Sequence, residues 1–89
     1  MKVRFDKLFF KDLSKIQEKS VAIEIKTIIL EIENVTTLSE VRNLKKLKGY
    51  KNTYRIRLGN YRIGVLFVEH DTIDFIRILP RKDIYKYFP

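Results

Sequence analysis

The hydrophobic period of the chain changes near residue 53, and the change separates a helical part from a β part. Lys2-Val3-Arg4-Phe5 alternates polar and apolar residues, as a short strand does. Asp6 stands where a helix N-cap belongs, ahead of Phe9, Phe10, Leu13 and Ile16 at helical spacing. Lys19-Ser20 breaks this pattern, and Val21, Ala22, Ile25, Ile28, Ile29 and Ile32 then fall on one stripe with Glu24, Lys26 and Glu31 outside it. Isoleucine is only a moderate helix former, so the periodicity rather than the propensity predicts this second helix. The short join between the two predicts an antiparallel helical hairpin from residue 7 to about 34, sharing one apolar seam.

Asn34 to Thr37 reads as a turn, and Thr37-Leu38-Ser39-Glu40 has the spacing of a capping box, predicting a short helical turn to about Leu44. Leu44 to Asn52 reads as a basic loop held by Leu44 and Leu47. From Thr53 the period is two. Tyr54, Ile56 and Leu58 alternate with Arg55 and Arg57, Gly59-Asn60 is a two-residue hairpin signal, and Tyr61 to Val68 returns as a second strand. Glu69-His70-Asp71 turns the chain into a third strand, Thr72 to Leu79, which Pro80 ends before a short tail. The expected fold class is α+β, one domain over residues 1–89: an N-terminal strand, an antiparallel helical hairpin and a three-stranded antiparallel meander with a short C-terminal tail.

A two-residue turn also fixes which residues share a sheet face. With Gly59-Asn60 as the loop, Leu58 opposes Tyr61, Arg57 opposes Arg62, Ile56 opposes Ile63 and Arg55 opposes Gly64. One face is then apolar and suited to cover the helices, while the other carries Arg55, Arg57 and Arg62 beside an open floor at Gly64. For the third strand, pairing Glu69 with Thr72 places Ile76 and Ile78 on the apolar face and Arg77, Ile73 and Phe75 on the basic one. A slip by one residue would bury Arg77 without a partner. Arginines crowded on one face repel each other, and a merely solvated face has no use for them. The arrangement points to an anion that is absent from the sequence.

Charge adds to this picture. The chain carries 19 Lys and Arg against 11 Asp and Glu, net +8. Residues 1–41 are neutral in sum, so the whole excess lies beyond residue 41. A polyanionic partner is the reading this segregation favours. Lys46, Lys48 and Lys51 in the basic loop, Arg77 on the third strand, and Lys82 and Lys86 in the tail are candidate RNA-binding residues. In the tail, basic groups interleave with Tyr85, Tyr87 and Phe88, so that cations can hold phosphates while rings stack on unpaired bases; Phe88 alternatively packs down to tether the terminus. There is no Cys and a single His, so neither a disulfide framework nor a metal site is expected. No apolar run approaches the roughly 20 residues of a membrane span, and no secretory signal opens the chain, so a cytoplasmic protein without membrane contact is expected.

LKKLKG at 44–49, YRIRLGNYRIG at 54–64 and PRKDIY at 80–85, with the strand and helices that precede them, resemble the RelE/ParE superfamily of type II toxin–antitoxin toxins. The resemblance covers essentially the whole chain. It implies a RelE-like mRNA interferase: a ribosome-dependent mRNA endonuclease that inhibits translation, needs no cofactor or metal, and is neutralised by a cognate antitoxin. Ribosome-bound mRNA and rRNA would be its other partners. The positions matching the working residues of RelE-like members are Arg55, Arg57, Arg62, Arg81 and Tyr85, which the resemblance marks as catalytic. Pro80 stands where many members carry a His, and strand positions that are often Lys in active members are Arg here. The resemblance therefore also admits a ParE-like poison of DNA gyrase, or a catalytically weakened toxin that binds RNA and antitoxin.

Overall fold

Asp6 does begin a helix. Its carboxylate accepts the Leu8 N–H at 2.9 Å, and helix α1 runs Lys7–Leu13 in the computed structural model, which describes residues 1–89. Strand β1 (Lys2–Phe5) precedes it and helix α2 (Lys19–Glu33) follows. On α2 the predicted stripe meets the core: Ile25 and Ile32 are buried and Val21, Ile28 and Ile29 pack around them, while Ala22 stays exposed. The Met1 amino group closes the end of α2, donating to the carbonyls of Ile32 at 3.0 Å and Val35 at 2.6 Å.

The meander follows, as strands β3 (Thr53–Leu58), β4 (Tyr61–Val68) and β5 (Thr72–Pro80). The β3–β4 register is the predicted one, from Leu58↔Tyr61 to Arg55↔Gly64. Gly59 takes φ +55°, the left-handed conformation that a tight hairpin asks of its first loop residue. Gly59→Ala should therefore lower stability by about 1 kcal/mol in a urea melt, with open space around the added methyl leaving backbone strain as the cause.

The structure corrects the expected fold in four places. First, the two helices feed one core, Phe9 with Ile25 and Ile32, but each rests chiefly on the sheet. α1 ends at Leu13 and packs along β5, while α2 lies against β1 and β3. A helix of two turns buries more by lying on the sheet than on a neighbouring helix. Second, the sheet has five strands, ordered β1-β5-β4-β3-β2, because β1 joins β5 in parallel and Leu44–Lys46, expected as loop, forms strand β2 antiparallel to β3. The helical turn after Thr37 is accordingly confined to Leu38–Glu40.

Third, the β4–β5 register differs. The turn spans Glu69 to Asp71, so Val68 rather than Glu69 opposes Thr72, and a bulge at Ile76 restores Gly64↔Arg77 and Ile63↔Ile78. Ile73 and Phe75 thereby enter the core, fully buried, and Ile76 moves to the opposite face. Burying those two side chains is worth about 2 kcal/mol each, which outweighs one interrupted ladder position. Phe75 stacks within 5.3 Å of Phe5 and 5.4 Å of Phe9. Fourth, the tail is a helix, α3 (Arg81–Tyr87), with Asp83 in its first turn and Lys86 in its last, both favourable to the helix dipole. It lies on the face opposite α2, where Ile84, Phe88 and Leu47 form a second small core with Leu66, Ile76 and Leu79. Gly64 is not an open floor, because the Phe88 ring covers it.

β1 ends at Phe5, leaving the edge of β5 unpaired beyond Phe75. Asp12, at the end of α1, closes that edge. Its carboxylate accepts the Ile78 N–H at 3.1 Å and both Nε (2.7 Å) and Nη2 (3.0 Å) of Arg77. Asp12 is 4% exposed.

Candidate active site

The arginine face survives in three dimensions because register and alternation enforce it. Arg55 and Arg57 project from β3 and Arg62 from β4, on the side away from α2. α3 then brings Arg81 and Tyr85 to the same place. One cleft is lined by Asn43, Leu44, Lys45, Arg55, Arg57, Arg62, Arg81 and Tyr85. All five residues anticipated as catalytic are in it.

The hairpin turn orients the side chain of one of these arginines and anchors the backbone of another. The Gly59 carbonyl accepts Arg62 Nη1 at 2.8 Å, and the Tyr61 carbonyl takes the same atom at 2.8 Å. The Asn60 carbonyl accepts the Arg81 N–H at 2.8 Å, fixing the first residue of α3 beside the turn. Arg62 is thus held by backbone, with most of its guanidinium edge left for a ligand. The Arg55 guanidinium lies over the Tyr85 ring, 4.6 Å from its centroid.

The charges in this cleft are not compensated within the chain. Its lining holds five cations and no carboxylate. Ion pairs elsewhere engage Lys2, Arg4, Arg42 and Arg77, and none of these lines the cleft. The crowding shows in proton affinities. Partial burial, together with Arg81, Arg57 and Arg55, lowers the Arg62 pKa from its ordinary value, although an arginine so placed remains charged. The Arg81 guanidinium beside the Tyr85 hydroxyl lowers the phenol pKa, and the charges of Arg55 and Arg62 act in the same direction. Such a site suits a multiply charged anion, and it offers one phenol able to transfer a proton.

The other anticipated residues are dispersed. Arg77 keeps its predicted place opposite Gly64, but it is committed to Asp12 and lies 5.9 Å from the Tyr87 ring, away from the cleft. The feared buried arginine without a partner is thus a half-buried arginine with one. Lys46 spends its ammonium on the Tyr50 carbonyl at 2.7 Å. Lys48 and Lys51 are exposed outside the cleft, as is Lys86 on α3, while Lys82 borders a hollow next to it with Asn60, Pro80, Arg81 and Tyr85. Lys45 was missed from the sequence. It opposes Arg55 across β2–β3 and so joins the arginine face. Reading Leu44–Lys46 as a strand would have found it, but three residues carry too little periodicity for that. No group of three or more His, Cys, Asp or Glu side chains is placed to hold a metal ion, and no helix is long and apolar enough to cross a membrane.

Sheet order, helix placement and the cationic cleft together define a class, and comparison with known proteins agrees. Residues 3–85 match the family model described as the ParE toxin of the type II toxin–antitoxin system parDE. The chain belongs to the RelE/ParE superfamily of type II toxin–antitoxin toxins. Within that class it is 51% identical to Toxin RelE3 of Methanocaldococcus jannaschii, over the full length of both chains. Its fold matches the crystal structure of a RelB–RelE antitoxin–toxin complex from Methanococcus jannaschii with a TM-score of 0.82 and 48% identity, covering 97% of this chain and 99% of the other. An archaeal RelE–RelB complex from Pyrococcus horikoshii shares the fold at a TM-score of 0.72 and 24% identity, covering 90% and 93%.

Proposed function

We propose that this toxin is a ribosome-dependent mRNA endonuclease whose catalytic residues are Arg55, Arg57, Arg62, Arg81 and Tyr85. The observation that carries this reading is the convergence of these five side chains, with Lys45, on one cleft that contains no counter-charge. In the reaction the ribose 2′-oxygen attacks the adjacent phosphorus, its proton passes to water, and the 5′-oxygen leaves. The products are a 2′,3′-cyclic phosphate and a free 5′-hydroxyl. The phosphorane that forms on the way gathers negative charge, and guanidiniums already held in place stabilise it without reorganising. Arg62 and Arg81 are that clamp. Arg55, Arg57 and Lys45 hold the flanking backbone, and Tyr85 protonates the departing 5′-oxygen. A phenol with a lowered pKa is the stronger acid. Pro80, at the head of α3, supplies no proton, so the chemistry falls to Tyr85.

The test is to induce the chain and map 5′ ends on ribosome-bound messages. New ends bearing 5′-hydroxyls are expected inside coding regions, and intact messages during growth arrest would overturn the reading. Arrest with intact messages and inhibited DNA supercoiling would instead identify a gyrase poison, the reading that the ParE description of the matched family keeps in view.

Proton transfer predicts a pH profile. Single-turnover cleavage on programmed ribosomes should rise with pH as the 2′-hydroxyl is deprotonated, then level off where Tyr85 loses its proton, earlier than an ordinary phenol would. Tyr85→Phe should be slower by about 10²-fold and show no levelling. A profile unchanged by that substitution would remove Tyr85 from the proton path. Binding to a single-stranded RNA should weaken with salt at a log–log slope of about −0.7 per phosphate engaged, so that three to five contacts give roughly −2 to −3.5. A flat salt dependence in a filter-binding titration would contradict phosphate recognition.

The partner follows from relatives. The RelB–RelE complexes described above hold toxin and antitoxin together, and a RelB-like antitoxin is the partner proposed for this chain. With ribosomes as the target, the toxin would work in the cytoplasm.

A further inference from the structure

Gly64 sits at the centre of the arginine face, with Arg55 opposite it on β3 and Arg77 opposite it on β5. Each of these arginines approaches a ring of α3, Arg55 over Tyr85 at 4.6 Å and Arg77 towards Tyr87 at 5.9 Å. Between them the Phe88 ring rests on the Gly64 backbone. A Cβ at residue 64 would lie 2.5 Å from the Phe88 Cγ and 2.6 Å from both Cδ atoms, so no residue but glycine fits under this ring as it stands. Phe88 is 5% exposed, and Ile84, one turn earlier, is fully buried. Together with Leu47 they belong to a core separate from the one beneath α2. Ile84 and Phe88 are the two buried side chains that fasten α3 to the sheet, Phe88 the larger and the one at its C-terminal end. Its first residue is tied by the Asn60 carbonyl, and Tyr85 and Tyr87 are more than half exposed.

We propose that the Phe88 ring seated on Gly64 is the positioning contact of the cleft, setting the height and rotation of α3 and so placing Arg81 and Tyr85 against Arg55 and Arg62. Neither Phe88 nor Gly64 meets the ligand; they act through the helix. The consequence for cleavage rests on the function proposed above, whereas the consequence for the position of α3 does not. α3 has only seven residues and carries two of the five working side chains. With one end held by the hairpin turn and Ile84 buried midway, what sits under the other end sets the remaining freedom of rotation. A methyl under the ring lifts that end, and deleting the ring releases it. Either change moves the Tyr85 hydroxyl, together with Arg81 on the same helix, away from the Arg55 and Arg62 charges.

Three variants test this: Gly64→Ala, Phe88→Ala and Phe88→Leu, the last keeping an apolar side chain over Gly64. Two measurements report on α3 without requiring activity. One is the pH titration of the Tyr85 ring carbon by NMR with labelled tyrosine, and the other is amide hydrogen exchange along residues 81–88. In Gly64→Ala and Phe88→Ala the Tyr85 titration should move up by the share that Arg55 and Arg62 contribute, Arg81 travelling with it, and α3 amides should exchange about 10-fold faster. Amides of β3 and β4 should keep their protection. Single-turnover cleavage should fall by about 10²-fold, the size of effect that a displacement of about 1 Å produces in a positioned site. The concentration of ribosomes needed for half-maximal rate should change far less, because Lys45, Arg55 and Arg57 remain in place. Phe88→Leu should stay near the parent in every readout, and it carries the comparison if Phe88→Ala does not fold. An unchanged Tyr85 titration and unchanged α3 exchange in Gly64→Ala would overturn the proposal. If the titration moves as expected but the parent protein cleaves no message, the positioning contact stands and the nuclease assignment falls.

Discussion

Arg62→Ala and Arg81→Ala should each lower single-turnover mRNA cleavage by about 10²- to 10³-fold, and cells expressing either variant should keep translating. The expected loss is large because the Arg62 guanidinium is oriented before any ligand arrives and Arg81 begins a helix already anchored beside it. Arg62 is fixed by the Gly59 and Tyr61 carbonyls, and Arg81 is carried by a backbone whose N–H is bound to Asn60. A charge aimed in advance stabilises the phosphorane without paying for reorganisation. Arg62→Lys separates charge from geometry. An ammonium keeps the sign but cannot bond the turn carbonyl and a phosphate oxygen along one planar fork, so most of the loss should remain. Lys82→Ala, outside the cleft, should reduce cleavage only a few-fold by weakening association. Undiminished toxicity of Arg81→Ala would refute the clamp.

The second large effect concerns stability. Asp12→Ala should lower the free energy of unfolding by about 3–5 kcal/mol. It strips a mostly buried guanidinium of its counter-charge and leaves the Ile78 N–H without an acceptor in one stroke. Against a total of about 5–15 kcal/mol for a domain of ordinary stability, this moves the urea midpoint far to the left. Arg77 is stabilised in its charged form chiefly by the hydrogen bonds to Asp12, which raise its pKa. That shift vanishes with Asp12, but a guanidinium still keeps its proton at neutral pH, so Arg77 cannot escape the loss by releasing it. Asp12→Asn retains an acceptor for Ile78 and should cost less, and adding Arg77→Met to Asp12→Ala should recover part of the deficit by removing the orphaned charge. A midpoint for Asp12→Ala equal to that of the parent would show that the pair contributes nothing.

The contrast between these two predictions follows what a sequence can encode locally. The hairpin at Gly59-Asn60 is set by two residues and an alternation on either side, so the register that aligns Arg55, Arg57 and Arg62 was legible in advance. So was the stripe of α2, whose period persists over three turns. The role of Asp12 was not legible, because it arises only when the open edge of β5 meets the end of α1, 65 residues away in the chain. The β5 register was misread for a related reason. A two-state choice between parities leaves no room for a bulge, and the bulge at Ile76 lets Phe75 and Arg77 both face where each is best satisfied. β2 escaped notice because three residues cannot show a period, and Lys45 was lost with it. Of the cleft, the cations on paired strands could be placed by counting, and those on α3 came from the family resemblance. Their meeting depends on the packing of Phe88, for which a tethering role and a stacking role looked alike in sequence.

The parallel pairing of β1 with β5 joins Arg4 to Asp74 across 70 residues, and it bears on how the molecule is made. A nascent chain emerges from its N-terminus. β1 then has no neighbour, and Asp12 no arginine, until Thr72 to Arg77 have been synthesised and released. Long-range closure of this kind is slow and comes last. Arg81 and Tyr85 lie beyond that point in the chain, so the cleft is completed only after β5 and α3 have both been made. The cationic cleft is thus absent from most of the nascent chain, and a partner that recognises the assembled cleft meets it only once β5 and α3 have emerged.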